Sequence, residues 1–315
     1  LNNAAFDMNL WNTDNVSVSG DALFNDLLWN RSHNQLFYVY DEDAHLGDRI
    51  WTNKAGGAQW DYEARNWMEA GTEIDGIKYR DSSLGDNAVP FGVLFSDDCT
   101  DPADVSITAD VAPRDVTVNA TRDYTFVDGG GKITGSAKLL KQGTGTLSLA
   151  LDNDFTGGVH VEGGTLEVLD SKALGSGAVR LEEGATLRLD NNTSITLSGT
   201  NHTILGNLEV AKGSYLELDF PDTSRIHAEE CQIDGTLELT GSNMSYGGNA
   251  IDKPTYISGS GLVELSGSGN RFTFAGPKLN NYVSDFNGTY KVSGSNNSMR
   301  FASLGYRGAG QLIVE

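Results

Sequence analysis

The sequence predicts an all-β fold, a parallel β-helix with a less regular, Trp-rich cap at its N-terminal end. Three observations predict it. First, a glycine-led phrase with alternating apolar positions recurs as GTLSL (Gly145 to Leu149), GTLEV (Gly164 to Val168), GATLRL (Gly184 to Leu189), GSYLEL (Gly213 to Leu218) and GTLEL (Gly235 to Leu239). Looser copies follow at Gly261 to Leu265, Gly288 to Val292 and Gly310 to Val314. Their first large apolar residues (Leu147, Leu166, Leu187, Leu216, Leu237, Val263, Tyr290, Leu312) stand about 19 to 29 residues apart. That is the period of repeats whose units bury an apolar face only by stacking on their neighbours. Second, 38 glycines, many Asn, Ser, Thr and Asp, and only 6 prolines mark short strands joined by turns. Third, no window sustains apolar residues at i, i+3, i+4 and i+7, so long helices are not expected.

Along the chain, residues 1–103 read as irregular strands and cap, continuous with a repeat body over 104–315. Strand candidates come first at Val16 to Val18, Leu27 to Trp29 and Leu36 to Tyr40. Trp51, Trp60 and Trp67 follow with a Gly56-Gly57 turn, one short helical turn at most over Asp61 to Trp67, and the apolar Val93 to Phe95. Alternation then becomes regular at Val105 to Ile107, Val116 to Val118 and Tyr124 to Phe126. Within the repeat, period two puts Val159, Val161, Leu166 and Val168 on one face and His160, Glu162 and Glu167 on the other. The glycine between two such strands permits a sharp corner. A cycle of about 20 to 25 residues then makes one coil, and eight coils make a rod on the order of 40 Å long. An antiparallel sandwich would carry hairpin dipeptides between its strands. Asn287-Gly288 and Asp234-Gly235 fit that, but Gly184 and Gly213 occupy the same slot without the dipeptide, which favours the coil.

The formal net charge of −21 excludes nucleic acid and anionic membranes as natural partners and suits a long hydrated surface. The acidic clusters Asp41-Glu42-Asp43, Asp97-Asp98 and Asp152-Asn153-Asp154 lack the spacing of an EF-hand or a calcium β-roll, so no metal or other cofactor is expected. Cys99 and Cys231, 132 residues apart, read as two separate thiols, the alternative being a pair formed in an oxidising compartment if the fold brings them together. No signal peptide, lipidation site or membrane span is visible. The chain starts mid-phrase at Leu1 and reads as a trimmed piece from which export signals have been removed.

The run Lys141-Gln-Gly143-Thr-Gly145 to Leu149, Phe155-Thr-Gly157-Gly158, Gly163 to Val168, Ala173-Leu-Gly175-Ser-Gly177 to Val179 and Gly184 to Leu189 resembles the autotransporter-associated β-strand repeat. The stretch before it, with Trp51, Gly56-Gly57, Trp60-Asp61, Asn66-Trp67 and Gly85-Asp86, looks like what precedes such repeats. The match is specific over 132–190, good over 51–131 and loose after about 200. It implies a right-handed parallel β-helix and a secreted or surface-exposed bacterial protein of passenger type. No run of membrane-barrel strands is present, and neither a GDSG nor a GDSL nucleophile motif of the enzymatic passengers occurs.

Catalytic constellations fare poorly. A pectinase-like set could draw on Asn12-Thr13-Asp14, Asp97-Asp98 and Arg225-Ile-His227, but the first two lie about 85 residues apart, too far for adjacent coils. Asp222-Thr-Ser224 and Asp81-Ser-Ser83 lack the glycine of an aspartic-peptidase turn. None of the five histidines (His33, His45, His160, His202, His227) sits near a glycine-framed serine. Gly129 to Gly131 is a turn before a strand rather than a phosphate loop. Trp51, Trp60 and Trp67 are the binding candidates. They could stack on sugars, but the simpler expectation is that they plug an open β-helix end.

The resulting expectation is a structural or adhesive surface module with host or extracellular glycans or glycoproteins as partners. The alternative is a secreted hydrolase of an extracellular polymer, betrayed by a groove with two close carboxylates of mutually displaced pKa. Specific activity should lie where the ladder breaks: the Trp-rich part and the insertions near 190–207 and 241–256.

Overall fold

Strict alternation of buried and outward residues, interrupted every few residues by glycine, leaves each strand too short to form a core alone. The chain resolves this by laying each strand on its counterpart one coil earlier. The computed structural model describes residues 5–7, 26–30, 35–39, 47–81, 91–99, 104–190, 192–220, 225–226, 230–246, 256–274, 285–301 and 310–315. Among them every regular element is a strand. Over Asp61 to Trp67, where the sequence allows one short helical turn at most, none forms. Asp61 Oδ1 instead accepts the N–H groups of Glu63 and Ala64 at 2.9 and 2.6 Å, closing a bend before the strand Trp67–Glu69.

Three long ladders build the body. The first is a thirteen-stranded sheet that runs parallel from Arg49–Trp51 through Gly92–Ser96, Lys138–Gln142 and Val179–Leu181 to Ser298–Phe301. Two antiparallel strands, Trp67–Glu69 and Asp75–Ile77, finish its N-terminal edge. The second, ten-stranded, runs parallel from Gln59–Trp60 through Thr146–Ala150 to Asp285–Phe286. The third, six-stranded, begins only at Ser194–Ser198 and ends at Gln311–Val314. This is a parallel β-solenoid. A separate three-stranded antiparallel sheet joins Ala5–Asp7, Gln35–Val39 and Asp26–Asn30, which contains two of the early strand candidates. Val16 to Val18 lies outside the described residues.

The core consists of stacked columns. In the second sheet Tyr124, Leu147, Leu166, Leu187, Leu208, Cys231 and Ile257 stand one above another, all buried. In the third sheet Ile195, Leu216, Leu237, Val263 and Tyr290 do the same. Each such side chain contributes about 1.5–3 kcal/mol by leaving water. The columns correct the repeat alignment: the phrases from Gly213 onward belong to the third sheet, whereas the true continuation of Leu187 is Leu208. The two kinds of strand look alike because each is a glycine corner followed by the same alternation. Cys99 and Cys231 are both buried, and the Cys99 thiol donates to the Thr52 carbonyl at 3.5 Å.

Corners are set by backbone proximity and by buried polar side chains. A Cβ on Gly145 would lie 2.1 Å from the Arg122 carbonyl oxygen of the preceding coil, so only glycine fits. Asn153, buried, ties three coils by accepting from Ile133 N–H and donating to Ala173 O, each at 2.9 Å. Farther on, Asn270 accepts from Met244 N–H at 2.9 Å while its own N–H donates to Asn297 Oδ1 at 2.7 Å. Such bonds satisfy corner amides that no strand partner reaches.

Candidate functional site

The three tryptophans come together at the N-terminal end of the first two sheets. Trp51 lies edge-on to Trp67 at 5.0 Å, Trp60 edge-on to Trp67 at 5.3 Å, and all three contact Phe95. Tyr79 packs against Trp60 and Trp67 at 5.5 and 5.7 Å. All three indoles are 0 % exposed, and none of their ring nitrogens has a hydrogen-bond partner. The ring faces meet each other rather than solvent, with edge-to-face contacts of the kind that strengthen aromatic clusters. Asn66, buried beside them, accepts from Ala55 N–H and donates to Gln59 O, both at 2.9 Å, fixing the turn between them.

The outward faces carry the surface chemistry. On the second sheet one outward column reads Ser148, Glu167, Arg188, Glu209 and Gln232. Arg188 reaches Glu209 at 2.5 Å and Glu167 at 3.6 Å, so its guanidinium is held firmly charged between two carboxylates. Beside this column, where the second sheet turns into the third, a groove of about 330 Å³ opens. Arg188, Asp190, Glu209, Val210, Ala211, Lys212, Gln232, Asp234 and Ser260 line it, drawn from four successive coils. Asp234 accepts from Gln232 Nε2 at 3.1 Å and from Ser260 N–H at 3.0 Å, and these bonds hold its carboxyl below the usual range.

Sequence reasoning placed one end of this groove, Asp190, within a break in the ladder, but not the groove itself. It is assembled from residues some 70 positions apart that alternate outward on separate strands, and no local pattern signals their meeting. A paired-carboxylate hydrolase needs one carboxyl held protonated. Among the described residues every displaced carboxyl (Asp48, Asp61, Asp97, Asp154, Glu182, Asp234) is displaced downward, by hydrogen bonds and cationic neighbours. Asp97 uses both oxygens on Thr121 and Arg122 N–H groups, so it is a loop fastener one coil up. His160 alternates outward to Glu182 at 3.0 Å. Of the described residues, no three His, Cys, Asp or Glu side chains group to hold a metal ion, and no helix is long and apolar enough to cross a membrane. Asn12 to Asp14, Asp41 to Asp43, Ser82-Ser83, Asp222 to Ser224, His33, His45 and His227 lie outside the described residues.

Comparison with known proteins agrees with this architecture. Residues 139–168, the coil that begins at Leu139, match the model of the passenger-associated-transport-repeat. The chain is 33 % identical over 143 residues to the adhesin BmaC autotransporter of Brucella suis biovar 1 (strain 1330). That match covers 43 % of this chain and 4 % of the relative. No solved structure matches. The repeat, the relative and the stacked coils together support a passenger-type repeat protein of the autotransporter kind, secreted or carried on the bacterial outer surface.

Proposed function

We propose that this part of the passenger is an adhesive surface module whose groove at the turn from second to third sheet takes a neutral extracellular glycan. The groove carries the reading. Its volume is that of a small-ligand site, and it offers carboxylate, amide, hydroxyl, guanidinium and ammonium groups along four coils. Such a mixture pairs with hydroxyls that both donate and accept. The charge of −21 turns away polyanionic glycans. The relative's description as an adhesin supports the same role. The buried indoles serve instead to close the N-terminal end of the solenoid, and this role explains why no face is spared for a sugar.

Saturation-transfer NMR against neutral and anionic oligosaccharides tests the reading, with wild type compared with an Arg188→Ala/Asp234→Ala double variant. Signals from neutral oligosaccharides that vanish in the variant support it. Binding confined to anionic sugars, or unaffected by the substitutions, sinks it. Release of shortened fragments from mucin or polysaccharide would move the protein to the hydrolase class.

A further inference from the structure

One position ahead of the first-sheet residues Arg180, Thr203, Ser245, Arg271 and Ser298 stand Val179, His202, Met244, Asn270 and Asn297, a corner column whose level between His202 and Met244 lies outside the described residues. At each level with a described polar side chain, that side chain accepts the backbone N–H of the residue below. Asn270 receives Met244 N–H, and Asn297 receives Asn270 N–H. His202 does the same for Val179, whose N–H donates to Nδ1 at 3.1 Å. Its other nitrogen stands 3.1 Å from the Ser198 carbonyl oxygen, which only an Nε2–H can satisfy. The two contacts together define the neutral Nε2–H tautomer. The ring is buried and stacked on Phe220, 4.5 Å between centroids and 12° from parallel.

Ser198 ends the strand Ser194–Ser198, the edge strand of the third sheet, which has a ladder on one side only. We propose that His202 is an acid-sensitive latch that fastens this edge strand to the coil below while its ring is neutral and releases it on protonation. An asparagine carboxamide accepts at any pH. An imidazole with both nitrogens protonated faces the Val179 N–H with a second N–H, and that contact turns repulsive. The bond to Ser198 survives, but the ring no longer has an anchor on Val179.

Burial holds the His202 pKa below its ordinary 6.5, with only the Ser198 carbonyl acting the other way. The ionisable groups on the packed elements do not oppose this. Arg180 is engaged by Glu182, Glu217 accepts from Thr196 and Thr240 hydroxyls, and Asp219 is exposed. Arg225 holds the register position of the outward Thr203. A histidine with a depressed folded-state pKa contributes stability above the unfolded value of about 6.5 that is lost as pH falls toward the folded value. A protein outside the cell meets ambient pH directly, so the latch is exposed to the signal it reads.

Hydrogen exchange of the folded protein at pH 7.5 and 5.5, corrected for intrinsic rates, tests this in wild type, His202→Asn and a His160→Asn control. In wild type and the control, exchange at Val179 and over 194–198 should accelerate about fivefold or more at the lower pH, as protonation releases the latch. In His202→Asn it should change less than about twofold. Equal acceleration in wild type and His202→Asn, or none in wild type, overturns the proposal. Should His202→Asn fail to fold, the imidazole nitrogen shifts of wild type decide: an Nε2–H tautomer titrating below 6.5 upholds the latch, and an Nδ1–H tautomer or a midpoint at or above 6.5 removes it.

Discussion

Between Gly92 and Leu189 each coil lays down two strands and closes its third side with turns. From Ser194 onward each coil adds a third strand, and the third side becomes a ladder of its own. The early coils compensate with large buried aromatics at their N-terminal end and with Asn153 sewn through the irregular side. The later coils use backbone ladders on three sides and a corner column of His202, Asn270 and Asn297. The difference teaches that a β-solenoid tolerates one side without strands provided that the amides there find side-chain partners. The groove opens where the two designs meet, because the corner must change shape to admit the extra strand.

The sharpest way to break the early design is at its aromatic end. Trp60 contacts Trp67, Tyr79, Phe95 and Phe126, so Trp60→Ala should cost about 3–5 kcal/mol. Chemical denaturation followed by far-UV dichroism measures it. A loss under about 1 kcal/mol would mean that the cluster does not secure that end.

Next come the corners. Gly145→Ala drives a Cβ into the Arg122 carbonyl and should cost about 3 kcal/mol. Gly184 has a φ of 80° and nothing within 4 Å of where a Cβ would stand. It meets only the left-handed backbone penalty, so Gly184→Ala should cost about 1–2 kcal/mol. Equal losses for the two variants would show that crowding between coils is not what keeps these corners glycine.

Much of this was legible in the sequence, and the reasons differ by element. The alternation Val159, Val161, Leu166, Val168 faces inward as period two requires, because each strand has one wet and one dry side. The start of the third sheet was not legible: Leu208-Glu-Val210 and Leu216-Glu-Leu218 have the same local pattern, and only the register separates them. The tryptophans announced an aromatic cluster, but whether their faces stay open depends on Tyr79 and Phe95 arriving from other strands. The groove depends on four coils at once, and outward positions carry no hydrophobic signal to align. His202 reads in the sequence as one more scattered histidine, since its partners Val179 and Ser198 are chosen by stacking.

In the later design, Asn270→Ala leaves the buried Met244 N–H without its acceptor and removes donors to the carbonyls of Leu239 and Gly241. An unsatisfied buried group costs about 1–3 kcal/mol, so a loss near 2 kcal/mol is expected by urea denaturation. Asn153→Ala should cost a similar amount in the early coils. If Asn153→Ala alone were harmless, the strand-free side would need no sewing and the comparison would fail.

The smallest effect comes from a charge buried in the early coils. Lys141 stands in an inward column otherwise made of Phe95, Val118, Val161, Leu181 and Ile204. Its ammonium, 1 % exposed, donates to the carbonyls of Gln142, Gly143 and Gly163 at 2.7, 3.3 and 3.2 Å, spanning two coils. Burial pulls its pKa down to about 8, with Asp123 acting weakly the other way. Between there and the unfolded value of about 10.4 the unfolded chain binds more protons, so stability must rise with pH across that window. Lys141→Met should be close to neutral at pH 7.5, since a buried charge gives up its desolvation cost when an apolar chain of similar length replaces it. It should also abolish the alkaline rise. Denaturation midpoints at pH 7.5, 8.5 and 9.5 suffice, and they stay below the range in which tyrosines buried in the fold, whose pKa values are raised, would begin to pull the other way. A wild type whose stability falls between 7.5 and 9.5 while Lys141→Met stays level would show that the carbonyls hold the charge more strongly than burial repels it. The two-coil corner would then depend on the ammonium as the later corners depend on asparagine.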